Sequence, residues 1–377
     1  MKVGIITFHF AHNQGAVLQC YALQSVLKKM GHDVKVINYC PSYHTIRYCW
    51  KKNPFAMAYY SFKKLKNNSM ITRLHQMARS FAKGIYFTLF QTFKVREKNF
   101  TAFVNKNLSL SEKYKTLRSL RKNSPKYDVY ISGSDQLWNP DLVDGTFDPA
   151  YFMDFGNDRV KRITYAVSLK EKYTVEEKKK LQELCSTIDA ISLREKNNAM
   201  DEILNGQYTV CIDPTLLLNC EDYSDVIAPK SIDEPYIFVY GFETSSNLVE
   251  AVRAISNELG IRVINGSPER IKLNNVENLY DYGPDEFLNY IKNAQFVVTN
   301  SFHGTAFSII YNKQFVTVAH STRGRRMIDL LEKLGLSGRL WQNCECDWRS
   351  QIDYTDVNKK RVPLKEKSLD YLRENLK

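Results

Sequence analysis

The sequence predicts an α/β protein built as two parallel-sheet domains that face each other across a central cleft. Its 377 residues exceed what one hydrophobic core usually supports, so two domains are expected. Short β-branched and aromatic runs alternate with helically spaced apolar stretches from end to end, the pattern of a parallel sheet with helical crossovers. Polar turns holding Gly, Asn, Asp and His fall where those strands end, and open α/β sheets bind ligands at such places.

Taken in order, residues 2–7 predict a strand, 17–30 a helix stopped by Gly31, and 33–38 a second strand. A basic, aromatic helical insertion follows over about residues 45–110. The chain returns as a strand at 127–132 that runs into Gly133-Ser134-Asp135-Gln136, and 162–168 gives another. A helix rich in Glu and Lys at 175–184 precedes a strand at 190–194. Strands at 208–211, 236–241, 261–265, 295–299 and 315–318, with helices between them, complete the alternation. The domain boundary is expected near residue 170, giving domains 1–170 and 171–377 with the last helix crossing back.

Hydrophobic residues at 44% and charged residues at 25% are ordinary for a folded globular chain, so disorder does not organise this sequence. The apolar run after Met1-Lys2 is too short for a secretory signal, and no run is long enough to span a membrane. Of eight scattered cysteines only Cys344 and Cys346 lie close together, which predicts thiols in a reducing cytoplasm rather than a metal cluster.

The net charge of +12 is local. No Asp or Glu occurs between Asp33 and Glu97, and the 12 cations in that gap account for the whole excess of 53 basic over 41 acidic residues. They are Lys35, Arg47, Lys51, Lys52, Lys63, Lys64, Lys66, Arg73, Arg79, Lys83, Lys94 and Arg96, interleaved with aromatics from Trp50 to Phe93. Such a segment suits a helical surface on an anionic bilayer over residues 45–96, peripheral at the inner face of the membrane; the alternative is a helical insertion packing its aromatics on the core. No nucleic-acid module is recognisable, so nucleic acid is not an expected partner.

The turn between the strand at 295–299 and the next helix carries Asn300, Ser301, His303, Gly304 and Thr305. It places His303 beside a helix amino terminus whose free N–H groups attract anions, either for chemistry or merely to satisfy the helix end. Near the amino terminus Asn13 and Gln14 either line the cleft, where they can bond sugar hydroxyls, or cap the first helix. In ISGSDQLWNP, residues 131–140, Ser134, Asp135, Gln136 and Trp138 read as a carbohydrate platform with Asp135 as base, or as a helix cap and a core tryptophan. Arg194 can grip a phosphate or carboxylate at two points, or pair with Glu195. Arg323, Arg325 and Arg326 form a second candidate anion contact, and Asp213-Pro214-Thr215 reads first as a capped turn. No HExxH, paired-Asp metal motif or GxSxG is present, so metal hydrolysis and serine-esterase chemistry have no sequence support.

Together NQGAVLQCYAL, YDVYISGSDQLWNP, FDPAYFMDF, ISLREKN, CIDPTLLL and FVVTNSFHGTAFSIIY resemble the polysaccharide pyruvyl transferase family over residues 1 to about 340. The resemblance implies two Rossmann-like domains in a GT-B-like arrangement. It also implies transfer of pyruvate from phosphoenolpyruvate, as a ketal, to a sugar of a capsular or exopolysaccharide precursor, for which a lipid-linked hexose such as galactose is expected. In that frame His303 is the catalytic or phosphate-binding histidine and Arg194 an anion ligand, with Asp135 as the expected catalytic partner. No cofactor or metal is expected beyond phosphoenolpyruvate as co-substrate. One position departs from the family: an arginine commonly stands two residues before this histidine, and here it is Ser301, so the charge is expected from Arg194, Arg325 or Arg326. The competing reading is a GT-B glycosyltransferase that uses a nucleotide sugar.

Overall fold

A computed structural model describes residues 1–44, 54–64, 68–89, 91–143, 145–319, 324–342 and 346–377. Arg47, Trp50, Lys51, Lys52, Lys66, Phe90, Arg323 and Cys344 lie outside the described residues.

The first half opens β1 (Lys2–Ile6), α1 (Gln14–Lys29), β2 (Asp33–Tyr39). Three helices follow, α2 (Pro54–Lys64), α3 (Met70–Leu89) and α4 (Gln91–Asn107), before β3 (Leu110–Tyr114) and α5 (Leu117–Lys122). Then come β4 (Val129–Asp135), β5 (Lys161–Val167), α6 (Val175–Cys185), β6 (Ser192–Leu193), α7 (Asn198–Leu204) and β7 (Thr209–Val210). These strands form one parallel sheet in the order β3-β2-β1-β4-β5-β6-β7. The sheet therefore continues past the boundary expected at residue 170, and the chain changes sheet only after Val210. The sequence places strands at 190–194 and 208–211, but which sheet β6 and β7 join is decided by pairing with β5 and not by local pattern.

The second sheet contains β8 (Tyr236–Tyr240), β9 (Arg262–Asn265), β10 (Val276–Asn278), β11 (Phe296–Thr299), β12 (Gln314–Val318) and β13 (Leu340–Trp341), in the order β10-β9-β8-β11-β12-β13. Its crossovers are α8 (Ser246–Leu259), α9 (Pro284–Asn293), α10 (Phe302–Ile310) and α11 (Arg325–Lys333). Every residue of β8 and β11 is buried, because helices cover both faces of a parallel sheet. The final helix, α12 (Tyr354–Asn375), returns to the first sheet, where Tyr371 donates to the Thr164 carbonyl at 2.9 Å and the Ile212 amide donates to Ser368 at 3.0 Å.

Strand order reverses between β1 and β4 in one sheet and between β8 and β11 in the other, so each sheet has a crevice at its carboxyl edge. Helices α1, α9 and α10 pack between the sheets, and one apolar core runs through both from Val3 and Leu18 to Phe238 and Phe307. Tyr223 bridges the two halves, its ring 5.2 Å from Phe307 and 6.1 Å from Tyr21. The domains thus meet through packed hydrocarbon, which fixes the side chains that converge beside it.

Candidate active site

Three ionisable groups from different elements meet between the sheets. Arg194 leaves the end of β6, Asp213 follows β7, and His303 sits in the first turn of α10. All three are buried. The Arg194 Nη2 atom lies 2.7 Å from Asp213 Oδ2 and donates to Ser134 Oγ at 2.6 Å. His303 Nε2 approaches the same carboxylate oxygen at 3.5 Å. Asp213 Oδ1 is meanwhile held by the Thr215 amide at 2.9 Å and its hydroxyl at 2.6 Å. Asp213 is therefore both the turn cap expected of Asp-Pro-Thr and the counter-ion of the site. Arg194 pairs with it and not with Glu195, whose Oε1 instead accepts from Ser168 and the Leu169 amide.

Burial by itself would raise the Asp213 carboxyl, but Arg194, His303 and the Thr215 hydroxyl outweigh it and hold the group well below the usual carboxylate range. A fixed anion thus sits between a guanidinium and an imidazole. The Nε and Nη1 atoms of Arg194 remain buried without a hydrogen-bond partner among the described residues, a pair of N–H donors on one planar group. The Arg194 guanidinium lies 4.7 Å from the Phe302 ring centre and that of Arg326 5.8 Å from it, so two cations attend one aromatic ring.

His303 is packed edge-on. A Cβ built at Gly15 would stand 2.1 Å from His303 Nδ1, so the start of α1 can touch this ring only because residue 15 is glycine. With Asp213 at one nitrogen and Gly15 at the other, the imidazole is wedged between domains.

The other expected residues divide. A polar cavity of about 670 Å³ is lined by Gln136, Asn139, Lys170, Glu195, Arg325 and Arg326 among others. A smaller one, about 20 Å³, is lined by Arg194, Asp213, Phe302 and Arg326. Arg326 lines both and donates to Ser168 Oγ at 3.3 Å. Asp135, half-buried at the end of β4 with φ +80, lines neither cavity.

Trp138 does not offer its face to a sugar. It is fully buried, stacked on Phe152 at 4.8 Å and 7°, with its indole N–H on the Tyr151 carbonyl at 3.2 Å. Ser134, also fully buried, donates to the Ala166 carbonyl and serves Arg194. Asn13 caps α1 by accepting from the Ala16 amide at 3.0 Å. Gln14 ties the domains, its Oε1 accepting from Tyr240 at 2.8 Å and Arg96 at 3.3 Å. Arg96 is thereby buried between domains, which removes it from the surface proposed for residues 45–96. Asn300 holds the Phe242 amide and the Glu243 carbonyl, Ser301 caps α10 at the Gly304 amide, and Thr305 bonds to Thr317. Gly304 lets Thr299 approach, since a Cβ there would meet its hydroxyl at 2.1 Å. These four residues build the turn that presents His303. Asp213, which the sequence offers either as a cap or as a cleft residue with the cap preferred, is both: it holds the turn and faces Arg194 and His303.

The family model of polysaccharide pyruvyl transferases matches residues 13–322, a span that includes Arg194, Asp213 and His303. This chain belongs to the polysaccharide pyruvyl transferase family. As a family member it is a transferase, and its general activity is pyruvylation of a polysaccharide. No curated protein matches the sequence significantly. Among solved structures, this pyruvyl transferase is similar to S. aureus MnaA in complex with UDP, at 13% identity over 97% of this chain and 90% of that one with a TM-score of 0.47. It is similar to the UDP-N-acetylglucosamine 2-epimerase of Rickettsia bellii, at 10% identity over 99% and 96% with a TM-score of 0.44. It is also similar to the E. coli heptosyltransferase WaaC with ADP, at 11% identity over 97% and 100% with a TM-score of 0.40.

Proposed function

We propose that the protein transfers pyruvate from phosphoenolpyruvate to a saccharide as a cyclic ketal, at the meeting point of Arg194, Asp213 and His303. The observation that carries this reading is the buried N–H donors that Arg194 keeps unpartnered at Nε and Nη1 beside Arg326, on two edges of one guanidinium and suited to separate oxygens of a small anionic donor. Lacking an arginine at Ser301, the chain draws that charge from these two residues.

In the reaction, the donor's methylene carbon takes a proton from the acid, His303, and its central carbon becomes electrophilic. One sugar hydroxyl adds there, the bond to the phosphate oxygen breaks with its electron pair leaving on phosphate, and a second hydroxyl closes the ketal. Of the two hydroxyl protons released, one replaces that delivered to the methyl carbon and the other leaves with phosphate. The 670 Å³ cavity receives the sugar, a hexose such as galactose on a lipid-linked capsular or exopolysaccharide precursor, and Asp135, next to Gln136 of the lining but outside the cavity itself, orients or deprotonates the acceptor from its edge. A 20 Å³ cavity holds about one water, so donor entry requires the side chains around it, Arg194, Phe302 and Arg326 among them, to move apart.

The test is phosphate release from phosphoenolpyruvate against a panel of galactosides, glucosides and N-acetylated sugars. Acceptor-dependent release is expected, with thermal stabilisation by phosphoenolpyruvate. Stabilisation by a nucleotide sugar with none by phosphoenolpyruvate would replace this reading with glycosyl transfer.

A further inference from the structure

Helices α2 and α3 form a hairpin that inverts the usual distribution of polarity. Gly84 of α3 lies so close to Pro54 of α2 that a Cβ there would come within 2.6 Å of the Pro54 Cα, and Ser61 and Ser80 meet at 2.5 Å between the helices. Phe55 and Phe81 pack edge to face at 5.1 Å. Yet the pair leaves an apolar groove of about 580 Å³, lined by Phe55, Tyr59, Phe62, Leu74, Met77 and Phe81 among others. Around it Phe55 is 73% exposed, Tyr59 69%, Ile71 81% and Leu89 69%. An isolated exposed apolar residue needs no explanation, but a groove with an apolar rim does.

We propose that this hairpin docks on an anionic bilayer and seats lipid hydrocarbon in the groove between α2 and α3. Charge selects the occupant. Residues 54–89 contain Lys63, Lys64, Lys66, Arg73, Arg79 and Lys83 and no acidic residue, so a second copy of the same segment would be repelled whereas an anionic headgroup layer is attracted. No helix among the described residues is long and apolar enough to cross a membrane, and α3 carries three cations along its 20 residues, so the hairpin lies in the interface and does not span. Tyr59 and Tyr86, both exposed, have an apolar ring and a polar tip suited to headgroup depth. Further along, α4 buries Phe100 and Phe103 in the interdomain core, so a docked hairpin is tethered directly to the cleft. The inference does not depend on the donor or on the chemistry at His303.

Flotation of the whole protein with phosphatidylcholine–phosphatidylglycerol vesicles tests it, with pure phosphatidylcholine as the control. Binding to the anionic vesicles is expected, weakened on the order of fivefold by Arg79→Gln and more strongly by Ile71→Glu, with thermal unfolding of both variants unchanged. Tryptophan emission gained in Tyr59→Trp over the parent chain is expected to be quenched by vesicles brominated in their acyl chains. Three results would overturn the proposal: no flotation with anionic vesicles, flotation abolished by salt and indifferent to Ile71→Glu, or a dimer in solution that Ile71→Glu dissociates. Flotation without bromine quenching would overturn the seating of hydrocarbon.

Discussion

The centre between the domains and the α2–α3 hairpin break the same rule in opposite directions. At the centre Arg194, Asp213 and His303 are buried although all can carry charge; on the hairpin Phe55, Ile71 and Leu89 face outward although all are apolar. Burying a charge is tolerated only where a partner compensates it, and the centre supplies Asp213 for Arg194 and His303. Exposed hydrocarbon on the hairpin has no comparable pairing among the described residues, which is why a bilayer is proposed for it. The buried departure is the one proposed for chemistry, and the exposed one is the one proposed for a partner.

The contrast can be broken at several points. His303→Ala should lower phosphate release by about 100- to 10,000-fold, far more than its destabilisation of about 1–3 kcal/mol from the emptied interdomain contact can explain while the protein stays folded. Near-normal turnover would remove His303 from the chemistry. Asp213→Asn keeps the volume but leaves Arg194 buried without its counter-ion, at an expected cost of about 3–5 kcal/mol in denaturant unfolding near neutral pH. The pH dependence follows from the sign of the shift. The folded carboxyl is held below the ordinary 3.8, so its contribution is complete above that value and disappears as pH falls through the acid range. The gap between parent and variant should accordingly close on acidification, and a constant gap would argue for packing alone.

Smaller effects sharpen the comparison. Gly15→Ala forces a methyl against His303 Nδ1 and should destabilise by about 1–3 kcal/mol while reducing turnover, because the ring is pushed from its place beside Asp213. Trp138→Phe should lower stability by about 1–3 kcal/mol and leave the acceptor KM unchanged; a raised KM at unchanged stability would return the indole to the sugar site. Ile71→Glu, on the exposed hairpin, should move folding stability by no more than about 0.5 kcal/mol.

Several of these expectations could be read from the chain and others could not. Strands β8, β11 and β12 are buried β-branched or aromatic runs, and parallel pairing makes their positions visible without tertiary information. Trp138 was ambiguous because a strand-end tryptophan in a polar loop looks the same whether its ring turns to the cleft or onto Phe152. Asp213 looked like a cap and is one, but its second oxygen faces groups that are 19 and 90 residues away in sequence.

What the sequence by itself determined is local: where strands and helices start and stop, which turns carry polar groups, and that the excess of charge lies between Asp33 and Glu97. These follow from backbone sterics, apolar periodicity and composition, all of which act over a few residues. Only the tertiary structure decided that Arg194 pairs with Asp213, that Gly15 abuts His303, that Arg96 is buried between domains while Ile71 is exposed, and that Trp138 belongs to the core. The Gly15–His303 contact follows from the packing of α1, α9 and α10 between the two halves, and the burial of Trp138 from a separate core it shares with Phe152.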